Sequence, residues 1–297
     1  MTNPSEGKPV TLACTATPEL STRRFLEVAH AAESGGLDEM WLWEDVYRQS
    51  AIAQAGAMLG ATERLRIGLG VLPVPLRNVV LTAMEVSTLV ETFPGRLVPG
   101  IGHGVQSWME EIGARAASPL TQLREHAKAL RSLLHGEAVT SVGRYVTLND
   151  AQLVWPPTTP PPLYVAGHGP RTLRLVGEVG DGVIFELGVL PDGVQRKLRT
   201  VGDGRAAAGR SGPFGACAYV GVDAALRSAG PHATAAHLRQ WADAGVTTIA
   251  VVPVTSHGTP DMTDPAGVAA WLGTEVRPLL DAERAGHAPT IAELERR

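Results

Sequence analysis

Short apolar runs alternate along this chain with longer segments in which apolar residues recur every three or four positions. Residues 10–15 (VTLACT), 39–43, 65–72 and 96–101 read as strands. Between them lie helical patterns. Residues 23–33 carry Phe25, Leu26, Val28, Ala29 and Ala32 on one face, with Ser21 as N-cap; residues 50–59 follow, then 79–90 with Val80, Ala83, Met84 and Leu89. A helix over 120–134 comes next. The pattern changes over 136–162: residues 138–141 and 144–148 flank Val142-Gly143 like a hairpin, and Trp155-Pro156-Pro157 opens a stiff polyproline connector. Beyond it the alternation resumes with strand 163–166, a helix from Thr172 to Val179, strand 183–185 and helix 192–208. Strand 215–220, helix 233–244, strand 248–252 and a last helix over 265–279 complete it.

Eight strands and about eight helices in strict alternation imply an α/β protein with a parallel sheet, and eight units closing on themselves make a (β/α)₈ TIM barrel. An open doubly wound sheet shares the local pattern but normally carries its glycine-rich turn after the first strand. Here the glycine loops, Gly102-His103-Gly104 and Gly167-His168-Gly169-Pro170-Arg171, follow strands four and five, which favours the barrel. A barrel routinely occupies about 250 residues as one domain. The expectation is therefore a single domain over 1–297, with 136–162 as an insertion and connector before strand five.

Composition narrows the setting. With 44% hydrophobic and 19% charged residues the chain is globular in type, and no apolar run approaches the roughly 20 residues that cross a membrane. The opening MTNPSEGKPV lacks the basic and apolar regions of a signal peptide. Cys14 and Cys217 form neither a disulfide framework nor a metal-like spacing, so no metal is expected and a reducing cytoplasm is. A net charge of -4 leaves no electrostatic footprint for nucleic acid. The expected partner is a small molecule.

Barrel active sites lie at the C-terminal ends of the strands. That rule selects Cys14 and Thr15, Trp43-Glu44-Asp45, Gly70-Val71, Gly102-His103-Gly104, Gly167 to Arg171, Glu186, Tyr219 and His257. The loop at Gly167, His168, Gly169 and Pro170 opens a helix whose first amides suit a phosphate, with Arg171 as an adjacent cation; the same residues also make an ordinary turn and helix start. Glu44 and Asp45 are neighbours on a strand end and should face opposite ways, and such a pair serves equally as a helix cap or ion pair. His103 and His168 could touch a cofactor phosphate or simply be loop residues. Trp41, Trp43 and Trp108 could wall an aromatic site, though Trp41 and Trp43 share one face that also suits packing. No nucleophile elbow, zinc spacing or Walker loop is present.

Two longer stretches carry a resemblance. Phe93-Pro94-Gly95-Arg96-Leu97-Val98-Pro99-Gly100-Ile101-Gly102-His103-Gly104 is followed by Trp108-Met109 and Ile112-Gly113. Tyr164-Val165-Ala166-Gly167-His168-Gly169-Pro170-Arg171-Thr172-Leu173 is followed by Gly177-Glu178-Val179-Gly180-Asp181-Gly182-Val183. In this order they resemble the bacterial luciferase-like superfamily of flavin and deazaflavin oxidoreductases, over residues 10–279. The Gly-Pro-Arg-Thr-Leu loop and Gly-Glu-Val-Gly-Asp-Gly resemble the branch using coenzyme F420, similar to methylenetetrahydromethanopterin reductases, more than the FMN monooxygenases.

The resemblance implies a hydride carrier across the barrel mouth, supported by a bulge with a non-prolyl cis peptide at Gly70-Val71. It implies that Glu44 hydrogen-bonds the ring or its side chain, and that Gly102, His103, Gly104 and Gly167 to Arg171 hold the phosphate and acidic tail. Members are often dimers, so a homodimer is expected. In the F420-dependent glucose-6-phosphate dehydrogenase branch a histidine stands at the place of Asp45 and a glutamate at that of Val105. Val105 cannot transfer a proton, which argues against sugar oxidation and leaves Asp45, with Tyr47 nearby, as the candidate proton donor or base. The expected activity is F420-dependent hydride transfer to or from a small organic substrate. The alternatives are an FMN monooxygenase and a non-catalytic cofactor-binding barrel.

Overall fold

A computed structural model describes residues 10–284. The chain begins with β1 (Thr11–Ala16), α1 (Thr22–Gly35), β2 (Glu39–Leu42) and α2 (Ala51–Ala61). The third barrel strand comes in two pieces, β3 (Arg66–Leu69) and β4 (Leu72–Pro73), separated by a cis peptide between Gly70 and Val71. A 3₁₀ turn then leads to α3 (Val79–Thr92), whose N-cap Asn78 accepts a hydrogen bond from the Val80 amide at 2.8 Å. The fourth strand is also divided, into β5 (Leu97–Val98) and β6 (Gly100–Gly102), at Pro99, which has no N–H to give the ladder.

After β6 come α4 (Gln106–Glu111) and α5 (Pro119–Leu134), the antiparallel pair β7 (Val139–Val142) and β8 (Thr147–Ala151), then β9 (Tyr164–Ala166) and α6 (Pro170–Val179). The chain continues through β10 (Gly182–Phe185), α7 (Pro191–Ala207), β11 (Gly215–Asp223), α8 (Ala224–Ser228), α9 (Pro231–Asp243) and β12 (Thr248–Val254). It ends with α10 (Pro265–Trp271), a π-helical turn and α11 (Arg277–Arg284).

The parallel sheet runs in the order β4-β6-β9-β10-β11-β12-β1-β2-β3-β5. Because β3 pairs with β5 while β4 pairs with β6, joining the divided strands closes the ring into an eight-stranded barrel. The expected TIM barrel is the observed fold.

Two cores fill it. The larger lies between strands and helices and includes Phe25, Met40, Met58, Ile67 and Phe185. The smaller is the lumen, filled by Trp41, Ile184, Cys217, Tyr219 and Val252, with Trp43, Val71 and Tyr164 against them. Alternate residues of a strand point to opposite sides, so Met40 and Leu42 join the outer core while Trp41 enters the lumen. Glycine makes room for it: a Cβ on Gly68 would fall 2.2 Å from the Trp41 ring.

Several expectations are corrected. The hairpin turns over 143–146 rather than at Val142-Gly143, because Glu125 of α5 accepts the amides of Arg144, Tyr145 and Val146 at 3.0, 2.7 and 3.0 Å. The region after strand four contains the helix α4, too short to show a period. The last helix, expected unbroken, is interrupted at 272–276 where Gly273 meets the backbone of Gly35; a Cβ there would fall 2.2 Å from the Gly35 carbonyl.

Candidate active site

A cavity of about 560 Å³ opens at the C-terminal ends of the strands. Its inner wall is thin in side chains: Gly70, Val71, Gly102, Ala166 and Gly167, with Ile184 and Tyr219 behind. A Cβ on Gly102 would fall 2.9 Å from Val71, so glycine keeps this wall flat. The Tyr219 hydroxyl donates to the Gly70 carbonyl at 2.9 Å and fixes the backbone at the divided strand. Trp43 packs edge-on against Tyr219, with ring centroids 5.3 Å apart. Toward solvent the wall is formed by Val46, Val105, Trp108, Leu187 and Pro260, with Asp45 and Glu186 as carboxylates.

The neighbours Glu44 and Asp45 lie past the end of β2, not on it, and their surroundings differ. Glu44 forms a two-pronged ion pair with Arg77 and accepts the amide of Ala51, the first residue of α2, at 3.0 Å. It therefore caps α2, whose own N-cap Ser50 makes no capping bond with its side chain. Asp45 borders the cavity and, among the described residues, has no ion pair. Burial pushes its carboxyl above the usual range and Glu19 adds to this, while a Trp43 hydrogen bond and Arg48 oppose it. Tyr47, adjacent in sequence, is 75% exposed with φ 66° and does not border the cavity.

His103 borders the cavity, but both ring nitrogens are engaged, Nδ1 with the Pro119 carbonyl and Nε2 with the Thr172 hydroxyl, each at 3.2 Å. A carbonyl only accepts, so Nδ1 carries the proton and Nε2 accepts from Thr172. Burial lowers its pKa, and the ring ties the starts of α5 and α6 together. His168 stands at the rim, its side chain 81% exposed and Nδ1 2.5 Å from Glu186. Burial pushes the Glu186 carboxyl up, but hydrogen bonds from Lys197, from its own amide and from His168 outweigh this and hold it below the usual range. Lys197 lies 2.8 Å from Glu186 and was not among the sequence-level candidates; no motif marks it.

Gly169, Pro170 and Arg171 do not border the cavity. They begin α6 just outside it, where Gly169 is an N-cap without a side-chain bond and the first amides are left open. Cys14 and His257 also lie away from it, Cys14 in the outer core and His257 in an exposed turn. Trp41 is in the lumen, its indole donating to Glu39 at 2.8 Å. Among the described residues no cluster of His, Cys, Asp or Glu could hold a metal, and no helix is long and apolar enough to cross a membrane.

The inner wall suits a flat ring held by backbone rather than by side chains. The open amides of α6 with Arg171 suit an anionic group hanging outside the mouth. The fold and this cavity define a barrel with an open site at the C-terminal ends of its strands. The chain belongs to the luciferase-like monooxygenase family, whose sequence pattern matches residues 9–288.

Among its relatives, it is 31% identical over 163 residues to 5,10-methylenetetrahydromethanopterin reductase of Methanolobus tindarius, covering 54% of this chain and 50% of that one. It is 32% identical over 199 residues to the F420-dependent glucose-6-phosphate dehydrogenase of Kineococcus radiotolerans, covering 62% and 58%. The matches thus span about half the length of these curated relatives. In structure it is similar to the coenzyme F420-dependent tetrahydromethanopterin reductase of Methanopyrus kandleri, with a TM-score of 0.78 over 92% of this chain and all of that one, at 18% identity.

Proposed function

We propose that the protein is an F420-dependent oxidoreductase acting on a small organic substrate. The observation that carries this reading is the side-chain-poor wall, Gly70, Val71, Gly102, Ala166 and Gly167, facing a cavity bordered by Asp45, which has no ion pair among the described residues. The F420-dependent relatives support it.

Gly70 and Val71 would back the ring, Gly102 and Gly104 would border its edge, and Gly167 with the first turn of α6, including Gly169, Pro170 and Arg171, would hold the phosphate and acidic tail. When bound in its reduced form, F420 supplies hydride from C5. Tyr219 holds the wall's backbone in place, and His103 fixes the two helix starts that frame the anion site. Trp43, Trp108 and Leu187 exclude water. Asp45 holds or takes the proton that balances hydride transfer. Glu44 acts on the ring's surroundings through the Arg77 scaffold, its oxygens being engaged. His168 stands at the rim where the tail would leave.

The chain works as one barrel domain, with 136–162 as its insertion, in the cytoplasm, and binds neither nucleic acid nor membrane. It acts as a homodimer through the apolar stretch of Leu81 and Met84 on α3 with Val154 and Trp155, all exposed. Sedimentation of wild type and Met84→Glu tests that last point.

The family's monooxygenase description favours FMN with oxygen as the second reading. Anaerobic titration with F420 and separately with FMN, followed by fluorescence, separates the two. Saturable F420 binding with FMN unbound upholds the deazaflavin reading, and FMN binding alone sinks it. Tight binding with no turnover over a broad substrate range would leave a non-catalytic barrel.

A further inference from the structure

We propose that the substrate is an uncharged, largely apolar carbonyl compound, a ketone or an enone, and not a phosphorylated or carboxylated one. This rests on the oxidoreductase reading of the same cavity and adds to it the class of molecule that enters.

The charge lining the cavity is one-sided. None of its bordering residues is lysine or arginine, whereas Glu44, Asp45 and Glu186 are all there. The cations that pair with the lining carboxylates are already committed: Arg77 to Glu44 and Glu85 behind the wall, and Lys197 with the His168 ring to Glu186. A phosphate or carboxylate would lose its water and meet no lysine or arginine on the described lining to pair with. Anionic substrates are therefore rejected by want of a partner, a form of specificity that needs no close fit.

The remaining surface between the flat inner wall and solvent is apolar: Trp43, Val46, Val105, Trp108, Leu187 and Pro260. Such walls gain by covering hydrocarbon and give nothing to a polyhydroxylated molecule, whose hydroxyls would go unpaired. Asp45 is the exception among these side chains, a carboxyl with no close ion pair that stands where a single polar atom of the guest can reach it. A carbonyl oxygen is such an atom.

The step balances with reduced deazaflavin as the electron donor. Hydride carries two electrons to the carbonyl carbon, or to the β-carbon of an enone, as the C=O or C=C π bond opens. Asp45 passes its proton to the oxygen, or to the α-carbon, and is reprotonated from water. The donor, having lost hydride and one ring proton to solvent, ends two-electron oxidised. The product is the alcohol or the saturated ketone.

The test uses the protein loaded with oxidised cofactor and follows tryptophan fluorescence, since Trp43 and Trp108 border the cavity. It is titrated with 2-cyclohexen-1-one, with glucose 6-phosphate and with hexanoate. The neutral ketone should bind at least about tenfold tighter than either anion. Val105→Lys, at a position 47% exposed and so tolerant of change, should reverse or erase that preference by supplying a cation. Equal or tighter binding of an anion by the wild type overturns the proposal, as does binding of neither class. Whether F420 itself binds is read separately from its own fluorescence. Should only FMN load, the cofactor reading fails while the preference for the neutral ligand is still measured on the FMN form.

Discussion

The floor and the mouth of the barrel each bury a carboxyl, and they answer that burial in opposite ways. At the floor, burial pushes Glu39 above its usual range, but Arg66 stands 2.5 Å away and the Trp41 indole donates at 2.8 Å. At the mouth, burial likewise pushes Asp45 up and Glu19 adds to this, while a Trp43 hydrogen bond and the charge of Arg48 oppose it. The same desolvation is answered by an ion pair at Glu39 and, among the described residues, by none at Asp45, the carboxyl proposed above to carry the proton. Glu44 makes the contrast sharper, because one residue from Asp45 it is fully engaged by Arg77 and Ala51.

The largest expected effect comes from removing the unanswered carboxyl. Asp45→Asn should lower kcat by roughly 10²–10⁴-fold, the range of a positioned acid. In the reductive direction the acid form gives the proton, so wild-type activity should fall as pH rises through the raised Asp45 pKa, and the variant's profile should be flat there. Steady-state rates across pH check this, and an unchanged profile would remove Asp45 from the chemistry.

Filling the lumen comes next. Gly68→Ala puts a Cβ 2.2 Å from the Trp41 ring and should cost about 1–3 kcal/mol by urea unfolding. Gly102→Ala, whose Cβ meets a Val71 methyl at 2.9 Å and the Ala166 Cβ at 3.4 Å, should lose less stability than Gly68→Ala yet bind cofactor about tenfold more weakly. If both variants merely lose stability, the two ends do not differ in the way described.

Breaking the floor's ion pair should cost less, because Arg66 is 41% exposed and water screens it. We expect Arg66→Ala to cost about 1–2 kcal/mol. Glu39 has a folded pKa above its unfolded one, so its contribution is greatest at acid pH and is lost as pH rises through the folded value. Arg66→Ala should therefore lose more stability at pH 8 than at pH 5, by an amount that denaturation at the two values reads directly.

The smallest effect lies outside the barrel. Burial, helped by Arg77, pushes His126 down to about 4. A histidine depressed in the folded state stabilises fully above its unfolded value near 6.5 and loses that stability as pH falls toward the folded one. From pH 6.5 to 5.5 the loss should be about 1 kcal/mol, and His126→Gln should not show it. An identical acid limb in the variant would place the titrating group elsewhere.

Much of the fold was legible because it is written in periods. The eight strand runs and their helices were found within a few residues, since each strand is a short apolar block and each helix has one apolar face. The errors fell where one distant side chain decides, as with Glu125 holding the hairpin turn, or where an element is shorter than its period, as with α4. Of the site, Gly70, Val71, Gly102, His103, Gly104, Gly167 and His168 do border the cavity, because glycine at a strand end is visible in one dimension. Arg171 does not, and the roles of Glu44 and Lys197 were hidden, because an ion pair between residues 33 apart, Glu44 and Arg77, leaves no local trace.

The sequence by itself determined the barrel, the two glycine loops and the strand ends that carry them, since these follow from spacing and from residues lacking a side chain. Only the tertiary structure decided which of two adjacent carboxylates is free. Charge is neutralised through space, and whether Arg77 reaches Glu44 while Asp45 has no ion pair among the described residues depends on how α2 and α3 pack around the mouth.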